Sequence, residues 1–280
     1  MLAYRHLFHA GNFADVFKHA VIVQLAVLIG RKEKPFLYLD THAGCGRYDL
    51  AHAWAQKNRE FENGIARIFE RNDCPAPIRP YLDAVHENNP DGKLRFYPGS
   101  PLLVCRSLRA SDRMALTELN RDDCARLQSH FQSRRRVQIR NMDGYQALKA
   151  FLPPKERRGL ILIDSSFDRA HEFRRLAEAV IAAHKRFATG VYAVWYPLVE
   201  PQAVRDFEQL IVESDLRKVL KLELSVHRGD WQQSLRGSAM LVINPPYGFD
   251  TSAAPMLHWL WQALSADAEG RYSIKWLVGE

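Results

Sequence analysis

Two hydrophobic runs in this chain stop on a polar tetrapeptide: "GLILIDSSF", Gly159 to Phe167, and "SAMLVINPPY", Ser238 to Tyr247. Each reads as a buried strand leading into a loop. Where those loops fall depends on the direction of each strand and its place in the sheet. The elements on either side of "GLILID" set both.

Upstream of that run, "DRMALTELN" is a strand ending near Glu118, followed by a helix around Cys124 to Gln132. "RRVQIRNMDGY" is a strand ending near Asp143, and "YQALKAFL" the helix after it. Downstream come the amphipathic helix "FRRLAEAVIAAHKRF", the strand "GVYAVWYPL" and the helix "PQAVRDFEQLIVESD". The strands "KVLKLELSVHR" and "SAMLVINPP" are joined by a polar segment without a helix, which predicts an antiparallel pair. A helix near Pro255 to Leu264 and a strand-like "YSIKWLVG" follow.

Toward the N-terminus, "ADVFKHAVIVQLAVLIG", Ala14 to Gly30, is a helix with Asn12 as its candidate N-cap. "PFLYLD" is the first strand. Tyr48 to Asn89 is polar, with helical periodicity and no strand signal. Strands alternating with helices give an α/β fold: a mostly parallel sheet with helices on both faces. The expected division is a core of residues 1–47 and 90–280 with a small inserted helical subdomain at 48–89.

The chain has 280 residues, 47% hydrophobic and 25% charged, enough for one large α/β domain with a proper core. A formal charge of +7 suits a polyanionic partner such as a nucleic acid, although a merely basic surface has the same composition. Cys45, Cys74, Cys105 and Cys124 are scattered, without a Cys-x-x-Cys pair. They point to neither disulfides nor zinc and fit a reducing cytoplasm. No signal peptide is evident and no run looks apolar enough to span a bilayer, so a soluble protein with no membrane partner is expected.

Ligands of open α/β sheets sit at the carboxyl ends of the strands. The first strand ends "DTHAGCGR", Asp40 to Arg47, where Gly44 and Gly46 admit close backbone approach. This is neither a Walker A nor a strict G-x-G-x-x-G pattern, and a plain tight turn accounts for it equally well. The next strands end on Glu118, on Asp143-Gly144 and on Asp164. Any one of these is an ordinary cap or turn residue. Four strand-end carboxylates together suit a nucleoside that is neutral or cationic, and they would repel the pyrophosphate of NAD. S-adenosylmethionine has both an adenosine and a sulfonium.

A Rossmann-like methyltransferase follows, with its catalytic loop after the fourth strand. Enzymes that methylate an exocyclic base nitrogen carry Asp/Asn-Pro-Pro-aromatic after a strand. Asn244 to Tyr247 spells it in full, but on a late antiparallel strand away from the cofactor. Asp164 is therefore the active-site candidate, and the two prolines at 245 and 246 are read as a strand terminator.

"MLAYRHLFHAGNFADVFKH", "PFLYLDTHAGCGRY", "YPGSP", "LTELN", "MDGY", "RRGLILID" and "KRFATGVYAVWYP" resemble the bacterial 23S ribosomal RNA adenine-N6 methyltransferase RlmJ family along essentially the whole chain. The resemblance implies a class I methyltransferase core with a helical insertion. It also implies methylation of one adenine in 23S rRNA, on naked RNA. An older label links the family to the use of external DNA as a nutrient. By position, His19, His42, Ser100, Glu118, Asp143 and Gly144 would contact the cofactor, with Lys18 close by and Asp164 both catalytic and cofactor-facing. Tyr4, Arg5, His6, Ser165 and Phe167 would meet the substrate. No metal is implied. His6-x-x-His9 is an accidental near-metal spacing, and His19 by itself is a core histidine. A monomer is expected.

One departure matters. The family has Asp-Pro-Pro-Tyr where this chain has Asp164-Ser165-Ser166-Phe167. The acid, the carbonyl and the aromatic ring survive, but the rigidity of two prolines does not. The alternatives are a DNA-directed adenine methyltransferase and a catalytically weakened nucleic-acid-binding homologue. Basic clusters at Ser133 to Arg140, Lys155 to Arg158 and Lys185-Arg186 are either solvated faces or nucleic-acid contacts.

Overall fold

The computed structural model describes residues 5–167, 171–226, 235, 237–265 and 270–279. Helix α1 (Phe13–Gly30) starts at Asn12, whose side chain accepts a hydrogen bond from Asp15 N. Then come β1 (Leu37–Asp40), β2 (Arg47–Asp49), α2 (Ala53–Asn58), α3 (Arg79–Glu87), β3 (Phe96–Pro98) and α4 (Ser100–Ser107). The alternating part follows as β4 (Arg113–Thr117), α5 (Arg121–His130), β5 (Val137–Arg140), α6 (Gly144–Phe151), β6 (Gly159–Ile163), α7 (Glu172–Arg186), β7 (Val191–Pro197) and α8 (Pro201–Val212). β8 (Val219–Ser225), β9 (Gly237–Ile243), α9 (Phe249–Leu264) and β10 (Arg271–Val278) end the chain.

The main sheet has eight strands in the order β10-β8-β9-β7-β6-β1-β4-β5. The run from β7 to β5 is parallel, while β9 is antiparallel to both β7 and β8 and β10 is antiparallel to β8. From β1 the chain winds outward through β4 to β5, then returns to the other side of β1 for β6. The switch point therefore lies between β1 and β6, where a ligand crevice opens.

Alternation along the strands separates two cores. Tyr38, Met114, Leu160 and Leu162 face α1, α3, α4, α5 and α9. Leu37, Leu39, Ala115, Ile161 and Ile163 face α6, α7 and α8. Helices on both faces bury both sets, as the α/β pattern predicts.

Four details differ from the sequence expectations. Helix α1 is 18 residues long and apolar enough by composition to cross a membrane. Sixteen of those residues are buried within the protein, including Asp15, Lys18, His19 and Gln24, so its apolar character is that of a core helix. The region expected to be purely helical opens with β2, which pairs antiparallel with β3, so a short ribbon closes the base of the insertion. Three-residue strands carry too little alternation to be read from sequence. β5 stops at Arg140, and Asp143 is the N-cap of α6. α9 starts at Phe249 and carries Pro255 inside it.

The insertion packs directly on the start of α1. Ile65 N donates to Gly11 O at 2.8 Å, and a Cβ on Gly64 would lie 2.0 Å from that same carbonyl. Only glycine allows this approach. His9 and Asn12 both bond Glu60, at 2.8 and 2.9 Å. His9 is thereby tied to the segment that follows α2.

Candidate active site

Asp164 follows β6, the strand beside β1 at the switch point. Its Oδ2 accepts a 2.6 Å hydrogen bond from Lys18 Nζ, which also donates to Asp15 Oδ1 at 2.9 Å. Asp15 Oδ2 in turn bonds His6 Nε2 at 2.8 Å and Gly11 N at 3.0 Å. Lys18 and Asp15 are 4% and 2% exposed. Burial alone would lower the lysine pKa, but the two carboxylates raise it above the usual range. Burial pulls Asp15 the other way, and the neighbouring His6 and Lys18 charges hold it well below the usual carboxylate range. Lys18 and Asp15 thus form an ionised pair inside the protein, and through Asp164 the lysine joins α1 to the loop after β6.

The strand-end carboxylates lie on four adjacent strands, β6, β1, β4 and β5, but they do different things. Asp40 is wholly buried: Tyr38 OH and Ser100 Oγ donate to its Oδ2 at 2.8 and 2.7 Å, and His42 N donates to Oδ1. Burial pushes its carboxyl up to about 6. Asp40 ends β1 as expected, but all its polar partners are internal and it braces the loop from below. Ser100 reaches the site through that same brace.

Glu118 holds the glycine loop in place, accepting Gly44 N at 2.9 Å and Asn120 N at 2.7 Å, and burial raises its pKa. Leu119 beside it is 57% exposed. Asp143 caps α6 through Tyr145 N and Gln146 N and bonds Arg175 at 3.0 Å. Burial opposes its ionisation, but the Gln146 and Arg175 hydrogen bonds keep it below the usual range. Arg175 also lies 4.2 Å over the Tyr145 ring, and Tyr145 OH bonds Glu172 at 2.6 Å, locking α7 to α6.

Gly144 sits where no side chain fits. A Cβ there would meet Thr41 O at 2.3 Å and the His42 ring at 2.7 Å. His42 is held by Thr41 Oγ1 at 2.8 Å, and burial lowers its pKa. His19 bonds Tyr97 OH at 2.7 Å, and burial keeps its ring well below the usual histidine range. His6 and His9 turn to different carboxylates, Asp15 and Glu60.

Ser165 is buried, its hydroxyl directed toward Tyr145 but without a well-formed hydrogen bond. Phe167 packs on Phe173 and Trp195, with ring centroids 4.7 and 5.9 Å away. Arg5 lies over the Trp54 ring at 5.8 Å and 3.6 Å from Asp123. Tyr4 lies outside the described residues.

The Asn244 to Tyr247 loop follows β9, whose Ile243 pairs with Tyr192 near the start of β7. Because β9 runs antiparallel, its end lies at the opposite edge of the sheet from Asp164. Asn244 there bonds Ala188 O and Gly190 O at 2.7 and 2.9 Å, and Tyr247 is fully exposed. The separation comes from strand direction; β9 is an interior strand of the sheet.

One family's sequence profile, described as ribosomal RNA large subunit methyltransferase D, RlmJ, matches residues 33–278. This chain belongs to the RlmJ family. Two RlmJ relatives align over their full length and all of this chain. One, from Escherichia coli K12, is 42% identical over 280 residues, and one, from Haemophilus influenzae, is 40% identical over 281. Both are named ribosomal RNA large subunit methyltransferase J. A crystallised Legionella pneumophila protein, 33% identical, superposes with a TM-score of 0.90 over 96% of this chain and 98% of its own. The protein is a methyltransferase with the Rossmann-like α/β fold.

For this RlmJ chain, the predicted residues form three groups. His6, Lys18 and Asp164 join one network; His42, Asp143 and Gly144 meet at the start of α6; Glu118 meets the glycine loop. Asp15, Tyr38 and Arg175 were missed. Asp15 alone had a readable signal, as an acid in the first turn of an otherwise apolar helix.

Proposed function

We propose that the protein is an S-adenosylmethionine-dependent methyltransferase acting on the exocyclic N6 of an adenine in 23S rRNA, as naked RNA, in the cytoplasm and as a monomer. The observation that carries this reading is the placement of Asp164. It stands at the switch point, in reach of Lys18, and is followed by the Ser165 carbonyl and an aromatic Phe167.

The residues around it fit the cofactor. Gly144 lets the start of α6 lie directly against Thr41 and the His42 ring, and Gly44 takes a φ of 62° in the loop tethered by Glu118. Glu118 would hold the ribose hydroxyls, Asp143 and Gly144 the adenine edge, and Leu119 would offer an apolar face. His19 is buried next to Lys18 in α1 and held by Tyr97 OH at 2.7 Å, and it would meet the cofactor from that side. When bound, S-adenosylmethionine supplies an electrophilic methyl group.

The chain's own residues would prepare the nucleophile. The lone pair of an adenine amine is delocalised into the ring. Lys18 occupies Asp164 Oδ2, so Oδ1 is left to accept one amine N–H, and the Ser165 carbonyl accepts the other. Together they favour a tetrahedral nitrogen with its lone pair directed outward, and positioning does the rest. Phe167 would stack on the extruded base.

The test is transfer of labelled methyl from S-adenosylmethionine to an unmodified large-subunit rRNA fragment, followed by nucleoside chromatography. N6-methyladenosine that disappears with Asp164→Ala supports the assignment. No transfer despite intact cofactor binding overturns it in favour of the weakened binder. Transfer to DNA alone would move the substrate.

A further inference from the structure

Most of the basic residues singled out from the sequence lie away from the site; Arg140, which ends β5 beside Glu118, does not. Lys155 to Arg158 precede β6, Arg134 to Arg136 precede β5, and Lys185-Arg186 precede β7, so they lie at the opening edge of the parallel strands, opposite Asp164. Several are already engaged in structure. Arg158 donates to Ile29 O, Arg186 to Lys149 O and Leu152 O, and Arg136 to Ser111 O.

A different basic surface begins at the site itself. His6, at the end of the Asp164–Lys18–Asp15 network, packs on Tyr48 of β2 at 5.0 Å. From Tyr48 the surface continues in two directions. Along the β2–β3 ribbon, Arg47 and Arg95 both lie on Phe96, 4.5 and 5.0 Å from the ring centre. Along α2, Trp54 stacks on Phe8 at 5.3 Å, with Arg5 over Trp54 and Lys57 over Phe8 at 5.9 Å. Trp54 is 41% exposed, and Arg47 and Lys57 are exposed with no carboxylate partner among the described residues. Arg95 also pairs with Asp49 at 3.2 Å, and Phe8 and Phe96 are half-buried. Two cations without carboxylate partners beside an exposed indole suit a single-stranded polyanion with stackable bases.

We infer that the ribbon and α2 of the insertion form the docking surface for the RNA strand flanking the target base. Arg47, Lys57 and Arg95 contact its phosphates, and Trp54 meets an unstacked base. This rests on the RNA reading above and extends it from the reacting base to its neighbours. The surface meets His6 through Tyr48, so a strand held there adjoins the network that ends on Asp164.

The experiment compares the full-length protein with an Arg47→Gln, Lys57→Gln double variant and an Arg157→Gln, Lys155→Gln control at the opposite edge. Binding of a fluorescein-labelled large-subunit rRNA fragment is followed by anisotropy from ~50 to ~200 mM salt. Loss of two phosphate contacts should lower the slope of log K against log salt by about two and weaken binding on the order of tenfold. The control should match wild type, and cofactor affinity by calorimetry should be unchanged in both. The proposal is overturned if the double variant keeps the wild-type slope, or if the control loses as much. Methyl transfer is measured in parallel. A wild type that methylates RNA beside a double variant with unaltered KM sinks this surface alone. A wild type that methylates no RNA sinks the underlying function.

Discussion

Lys18 Nζ stands 2.6 Å from Asp164 Oδ2 and 2.9 Å from Asp15 Oδ1, so one buried ammonium ties the first helix to the loop that carries the candidate catalytic acid. Removing it would strand two carboxylates. Lys18→Met should cost about 3–5 kcal/mol in chemical denaturation and depress methyl transfer, while Lys18→Arg keeps part of both. Unchanged stability would show that the three groups are not energetically coupled. The pH window follows from the shifts. The raised lysine contributes fully below the ordinary lysine range and loses its contribution only above it. The lowered Asp15 contributes above the ordinary carboxylate range and loses it as pH falls through its depressed value. The network should hold from about pH 5 to about pH 10.

Asp40 behaves in the opposite sense. Its carboxyl is raised to about 6 by burial, so the folded state prefers it protonated, and stability falls as pH rises from near 4 through 6. Asp40→Asn retains an acceptor for Tyr38 and Ser100 and removes that titration. Between pH 4 and pH 7 the wild type should lose on the order of 2–3 kcal/mol relative to the variant in urea melts. Parallel pH profiles for the two proteins would contradict this.

Gly144→Ala would press a methyl against a backbone carbonyl at 2.3 Å and the His42 ring. The carbonyl cannot step aside. We expect about 1–3 kcal/mol of destabilisation and weaker binding of S-adenosylmethionine by calorimetry. Cofactor affinity equal to wild type would remove Gly144 from the cofactor cradle.

Introducing the two prolines tests what the two serines cost. The Ser165→Pro, Ser166→Pro variant fixes φ at both positions, and Phe167 should be held more firmly against Phe173 and Trp195. Single-turnover transfer should accelerate by one to two decades, about 1.4–2.7 kcal/mol of barrier. An unaltered rate would mean that the loop is positioned by its neighbours already.

The order of elements, the capped first helix and the placement of Asp164 were all legible in the sequence, because long amphipathic helices and buried strands carry strong periodic signals. The β2–β3 ribbon was not, since three residues give no period. Asp40 shows a different limit. A strand-end acid looks the same whether it faces a ligand or turns inward to Tyr38 and Ser100, and only the packing of α4 decides. The basic clusters, open in the sequence between solvated faces and nucleic-acid contacts, show a third limit. Charge density along the chain says nothing about which edge of the sheet it decorates, whereas Arg47, Lys57 and Arg95 are dispersed in sequence and come together only through the ribbon and α2.

The reversed course of β9 places two strand-end tetrapeptides at opposite poles of the sheet. Asn244-Pro245-Pro246-Tyr247 fits the wording of a base-methylating loop better than Asp164-Ser165-Ser166-Phe167 does, yet polarity assigns it to the far pole. There its letters answer only to local needs, the two carbonyls that Asn244 ties down. A Tyr247→Ala variant, which leaves the Asn244 contacts in place, is expected to transfer methyl at the wild-type rate.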